Sequence, residues 1–255
     1  DIARLLRPIV EGVAAEHEIK ARVVEIPPGP PVLSTLVAEV YGPTQEARLA
    51  SAEQIRDVFE STEGVVDVDW LVEAPQRKLI FRVDHEKAAM HGVPAASVAR
   101  SLRLAVDGED AGVLHDPDEL EQVTIRLQLP RPQRSSIEAL SEIRLASMTG
   151  ALVPLSELVE VEESELQISL HRKNLKPLVY VIGEVAGERE SPVYAILAMD
   201  EALAALEAPD GTAIEQHFRD EPWSEQQVAL RWDGEWSITY EVFRDLGGAF
   251  GAVLI

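Results

Sequence analysis

Two apolar periods alternate along the chain. DIARLLRPIVEGVAAEHE places Ile2, Leu5, Leu6, Ile9, Val10 and Val13 on one helical face. KARVVEI then reads as a strand, and IPPGPPV as a stiff connector, because its two Pro-Pro pairs fit neither a helix nor an inner strand. LSTLVAEVY is predicted as a strand, and QEARLASAEQIRDVFES as an amphipathic helix through Leu49, Ala52, Ile55 and Phe59. VVDVDW and KLIFRVD are two further strands, and HEKAAMHG is a short helix with Gly92 at its C-terminal turn.

From Pro94 the texture changes. A helix, PAASVARSLRLAVDG, is followed by a weak strand, the acidic loop HDPDELEQ and the strand VTIRLQL. RPQRSSIEALSEIRL gives a short helix and a strand, and MTGALVPLSELVEVEESE a hairpin-like turn, a short helix and a strand, before ISLHRKN. The first pattern then returns as strand PLVYVIGEVAG, helix SPVYAILAMDEALAAL with Ser191-Pro192 as its start, and strand TAIEQHF. The expected fold class is α+β: a ferredoxin-like, split β-α-β domain that carries a second α+β domain as an insertion.

The last stretch does not fit a water-exposed domain. After Asp245 no charge follows up to Ile255. A spanning helix needs about 20 apolar residues, so Leu246 to Ile255 reads as half of one. Trp232 and Trp236, just before it, read as an interfacial belt, with Phe243 on the face that enters the bilayer.

Charge and composition narrow the functional classes. The net charge of −22 argues against nucleic acid and against anionic lipid headgroups. The absence of cysteine excludes disulfides, thiolate metal sites and a cysteine nucleophile. No phosphate-binding loop, serine-hydrolase elbow or zinc-protease motif occurs, and no cofactor is expected. DGEDAG at 107–112 resembles a calcium loop but lacks the later ligands. His85 and His91, with Met90 nearby, face different sides of a short helix, so a soft-metal site there has little support from spacing. A carboxylate-dependent hydrolase remains an alternative, with no acid pair singled out by the sequence.

Several pieces, in order, resemble one family. They are PPGPPVLSTLVAEVYGP, LIFRVDHEKAAMHGVPAASVARSLRLAVDGEDAG, MTGALVPLSELVEV, HRKNLKPLVYVIGEVAG and WDGEWSITYEVFRDLGGAF. Together they resemble the second large periplasmic loop of resistance-nodulation-division (RND) efflux transporters of the acriflavine-resistance family. The resemblance implies that residues 1–31 end the first porter subdomain of that loop. It implies that 32–93 and 177–219 form two halves of the second porter subdomain, that 94–176 is an inserted docking subdomain, and that 220–255 leads into a transmembrane helix.

The same resemblance implies part of a proton-driven multidrug antiporter of the inner membrane, with this segment on the periplasmic side. A homotrimer, a periplasmic adaptor and an outer-membrane channel are the implied partners, and small amphiphilic molecules the implied substrates. VVDVDWLVEAP matches the strand and turn at the family's substrate cleft, which makes Asp69, Trp70 and Glu73 the cleft candidates. An acidic cleft with an aromatic suits cations by Coulomb attraction and cation–π contact. The alternative is a stand-alone α+β binding domain of the cell envelope without a transport role.

Overall fold

A computed structural model describes residues 2–24, 31–186 and 191–254. The Pro-Pro connector at 27–31 therefore lies almost wholly outside the described residues. In chain order the elements are α1 (Ile2–Glu16), β1 (Leu36–Tyr41), α2 (Gln45–Ser61), β2 (Val65–Trp70), β3 (Arg77–Val83), α3 (His85–Met90), α4 (Ala95–Val106), β4 (Glu109–Leu114) and β5 (Val123–Leu127). There follow α5 (Arg131–Arg134), α6 (Ile137–Ser141), β6 (Arg144–Ala146), β7 (Leu152–Pro154), a 3-10 turn (Leu155–Glu157), β8 (Val159–Glu165), β9 (His171–Lys173) and β10 (Lys176–Val185). The chain then runs through α7 (Pro192–Ala204), β11 (Glu215–His217), β12 (Ala229–Gly234) and α8 (Glu235–Leu254). The chain is α+β and divides into two units, one formed by residues up to Ala74 and from Ile168 onward, the other by Pro75–Gln167.

The first unit is built on one sheet with strand order β11-β12-β1-β10-β2, and β9 pairs with the near end of β10. The β12-β1-β10-β2 pairs are all antiparallel, and only β11 runs parallel to its neighbour. This is the strand order of a split β-α-β fold, with the second unit leaving the chain between β2 and β10. Central β1 is buried along its whole length. Its Leu36, Ala38 and Val40 face α2 and α7, where they meet Ile55, Phe59, Met199, Leu203 and Trp232. Successive strand residues point to opposite faces, so Val37, Glu39 and Tyr41 lie on the other side. Thr44 caps α2 by accepting a hydrogen bond from the Ala47 N–H at 3.1 Å.

The second unit holds the antiparallel pair β3-β8 and two hairpins, β4-β5 and β6-β7. Its small core gathers Ala88, Val93, Val98, Leu145, Val153, Leu155 and Leu158. Here the structure departs from the expected insertion at 94–176. β3 pairs with β8 from Arg77↔Glu165 to Val83↔Val159, and Ala88 and Val93 of the following helix and turn join the second core. His171–Lys173, expected inside the insertion, instead pairs with β10.

Three local readings change. Residues 20–24, expected as part of a strand, are irregular, and Val24 is 69% exposed. Residues 229–234, to which the apolar pattern assigns no element, form β12 beside β1. Their signal, ALRW, is short and ends in Asp-Gly, so it resembles a turn approach. Finally, α8 is one continuous helix that carries Glu235, Glu241, Arg244 and Asp245, and no helix among the described residues is long and apolar enough to cross a membrane.

Candidate functional site

The register of the sheet decides where the acidic strand β2 points its side chains. One row across the sheet is Trp232–Ala38–Val181–Trp70, and the next is Asp233–Val37–Ile182–Asp69. Trp70 therefore shares the helix-covered face with Trp232. The Arg56 guanidinium of α2 lies 4.7 Å above its ring, close enough for a cation–π contact. Asp69 points the opposite way. The three residues singled out from sequence are not brought together: Glu73 lies beyond the strand, and its carboxylate accepts from the Ser169 N–H and hydroxyl, each at 2.7 Å. The hydroxyl, then the backbone N–H, holds the Glu73 carboxyl below the usual range.

Asp69 lines a groove of about 360 Å³ formed by the end of α1, residues 19–22, Glu60 and the run Val65–Asp69. β2 is the edge strand of the sheet, which is why consecutive residues reach the groove. Its walls are joined by charge. Arg7 donates from Nε and Nη2 to Asp67 Oδ2 at 3.2 and 2.9 Å, and Nη2 also reaches the Val23 carbonyl at 3.4 Å. The Asp67 side chain is only 4% exposed, and Arg7 is the partner that meets it there. Arg22 Nη2 lies 3.3 Å from Asp69 Oδ2, and Lys20 lies 3.5 Å from Glu60. Asp67 holds a left-handed backbone at φ 53, next to the register shift between Ile182 and Glu184. Both carboxylates line the groove.

A second charged cluster has almost no signature in the sequence. Glu39, fully buried in mid-sheet, accepts from Arg231 Nη1 and the Tyr41 hydroxyl, both at 2.8 Å, and from Lys173 Nζ. Lys173 also donates to Asp233. Arg231, Glu39 and Tyr180 form one row of the sheet, so the register itself assembles the cluster. Burial, then the neighbouring Glu39 carboxylate, pushes the Tyr41 phenol far up. Burial pushes the Asp233 carboxyl up, but hydrogen bonds led by that from Lys173 outweigh it and leave the group below its ordinary value. The one sequence signal is a lone Glu in an apolar strand, LVAEVY.

The membrane-interface candidates also separate. Trp232 has no exposed surface and stacks on Phe59 with ring centroids 5.8 Å apart. It is a core residue, and the interfacial-belt expectation fails for it. Trp236 is partly exposed and donates its indole N–H to the Phe218 carbonyl at 2.7 Å. Phe243 is 71% exposed on α8. Among the described residues no group of three or more His, Asp and Glu side chains is placed to hold a metal ion.

The sequence profile of the AcrB/AcrD/AcrF family matches residues 30–229. Among curated proteins the chain is similar to the nickel and cobalt resistance protein CnrA of Cupriavidus metallidurans, 29% identical over 163 residues. It is also similar to the cobalt-zinc-cadmium resistance protein CzcA of the same species, at 24% over 161 residues, and to the cation efflux system protein CusA of Escherichia coli O157:H7, at 25% over 160 residues. The CnrA alignment takes in 61% of this chain but 15% of that protein. Among solved structures, a heavy metal efflux pump superposes with a TM-score of 0.65 at 20% identity, over 87% of this chain and 21% of that one, a likeness that concerns the fold. With its sequence profile matched over most of the length, the chain belongs to the AcrB/AcrD/AcrF family of RND transporters, and it is not an enzyme.

Proposed function

We propose that the chain supplies porter and docking elements, on the periplasmic side, to a proton-driven RND pump that exports metal cations. The observation that carries this reading is the groove between α1 with its following segment and the edge strand β2. In the family scheme, residues up to about 31 close the first porter subdomain and β1, α2 and β2 open the second. The groove thus lies where a substrate cleft between two porter subdomains belongs. Its ion pairs, Arg7–Asp67 and Arg22–Asp69, are the latch of a closed state. Separating the walls breaks both pairs and uncovers two carboxylates on one strand, a ligand set suited to a hard or borderline cation.

The substrate proposed here differs from the amphiphile expected from sequence. The relatives CnrA and CzcA are named for metal resistance and CusA for cation efflux, and Trp70, the aromatic invoked for organic cations, lies on the other face beneath Arg56. The built-in arginines also answer how a bound cation leaves, because their return to Asp67 and Asp69 competes with it. Trp70 then acts as a support of the strand and Glu73 as an anchor of the crossing to Ser169. The second unit is the docking element toward an outer-membrane channel, with a periplasmic adaptor at the side of a homotrimer. The exposed apolar face of α8, with Phe243, Leu246 and Phe250, leads to the membrane.

The test is resistance of a metal-sensitive host that expresses the full-length pump. Resistance to divalent metal ions that Asp69→Ala and Asp67→Ala both diminish, at unchanged protein level, is the expected result. Resistance to organic amphiphiles with none to metals would refute the substrate assignment.

A further inference from the structure

The stripe that buries α2 begins with a charge. Arg48, Ala52, Ile55 and Phe59 share one face of the helix, and all four are buried. Arg48 is 7% exposed. Its stem lies against Gly42, where a Cβ would come within 3.3 Å of the Arg48 Cγ, and its Nη1 donates to the Gly42 carbonyl at 2.8 Å. Arg7 and Arg231 each meet a carboxylate, but among the described residues no carboxylate pairs with Arg48. Burial pulls its guanidinium below the ordinary value, and the more distant Glu225 and Glu46 only partly oppose this.

Arg48 lines a cavity of about 160 Å³ with walls of Leu49, Leu71, Val72, Ile168, Leu170 and Val179. Arg172 lines it too. It pairs with Pro177 across β9-β10, two residues from Val179, and so lies on the helix-covered side of the sheet. Its charge adds to the cost of the charge on Arg48. In a chain of net charge −22, two arginines thus border one small apolar cavity with no acid paired to the buried one.

We propose that this cavity binds a small organic carboxylate, its oxygens on the Arg48 donors that Gly42 leaves free and its apolar part against the leucines. The planar guanidinium fork matches a carboxylate. An apolar cavity of about 150 Å³ takes a benzene ring, which bounds the tail. Phosphate also matches the fork, but its remaining oxygens would face hydrocarbon without donors. The cavity shares no lining residue with the groove. A pump that exports metals but binds no carboxylate here would sink this inference alone.

The experiment is calorimetric titration of the whole chain with benzoate, with benzamide as its neutral isostere and inorganic phosphate as the bare anion. Benzoate binds at one per chain, and the two controls bind at least about tenfold more weakly, the effect of losing a charge-assisted hydrogen bond. Arg48→Met keeps the stem against Gly42 and removes the charge; it abolishes benzoate binding, while its urea midpoint reports the fold. Arg172→Gln, at an exposed side chain, tests the same pocket without touching the core. It weakens benzoate binding and makes it less sensitive to salt. Equal binding of benzamide and benzoate, no saturable binding, or binding unchanged in either variant overturns the proposal. Arg48 is then a structural clamp on the Gly42 carbonyl, with Glu225 as its distant counter-charge.

Discussion

Replacing Glu39 by Gln removes a charge that the sheet buries without any exposed surface. Three donors lose their carboxylate: Lys173, Arg231 and the Tyr41 hydroxyl. Deleting one member of a buried ion pair costs about 3–5 kcal/mol, because the partner is left uncompensated. Part of that cost is recovered here. Lys173 is 32% exposed and keeps Asp233, and Arg231 keeps Asp233 at 3.8 Å, so the expected loss is about 2–4 kcal/mol. Urea unfolding followed by tryptophan emission measures it cleanly, since Trp70, Trp223, Trp232 and Trp236 all lie in the first unit. The midpoint falls with little change in slope, because the exposed area on unfolding is the same. Adding Lys173→Met to Glu39→Gln costs less than the sum of the two, since each change removes the same contact. A loss below about 1 kcal/mol, the range of an exposed ion pair, would refute the reasoning that this cluster is held in a dry mid-sheet position.

The same cluster sets a pH window. The Asp233 carboxyl titrates below its ordinary value in the fold, so its contribution is present above about pH 3.9 and fades as the pH falls through that lower value. Burial pulls the Lys173 ammonium down, but its carboxylate partners outweigh this and raise it, so its contribution is present below about pH 10.4 and fades as the pH rises through the raised value. Urea midpoints measured across pH show both limbs, and Lys173→Met flattens the alkaline one; an unchanged alkaline limb counts against the assignment. Trp232→Ala costs about 3–5 kcal/mol as a large core deletion, whereas Trp223→Ala, at a residue 98% exposed, stays within about 0.5 kcal/mol. Equal midpoints for the two variants would contradict the placement of Trp232 against Phe59.

How much of the fold the sequence discloses depends on how far apart the cooperating residues are. LVAEVY and PLVYVIGEV are apolar on both faces, which marks inner strands, and both sit in mid-sheet. The helix at 45–61 shows its buried stripe, Ala52, Ile55 and Phe59, in the spacing of its apolar residues alone. Boundaries set by pairing partners far away are not legible in this way. β3 looks like a continuation of β2 because only a Pro-containing turn separates them, yet its partner is β8. Nothing local in RKLIFRV says which sheet it joins. β12 is hidden for a related reason: a six-residue strand with Arg231 and Asp233 in it alternates, but the charged face reads as solvent-exposed unless Glu39 and Lys173 are placed opposite it.

The candidate site shows the same limit in its electrostatics. In a chain with 45 acidic residues, strand position identifies which acids share a face but not which are already neutralised. DVDW places Asp67 and Asp69 two apart, and that spacing alone predicts a free acidic patch. The structure instead gives each an arginine from an N-terminal segment more than forty residues upstream, Arg7 and Arg22. Attraction of a cation to free carboxylates and its exchange against a tethered guanidinium differ in kind. The first binds more tightly as charge accumulates, and the second is bounded by the strength of the pair it must break. A transport site needs the second behaviour, because an ion held by unopposed acids has no cause to leave. Removing Arg22 on this logic strengthens cation binding in the groove and slows release, an effect opposite in sign to that of removing Asp69.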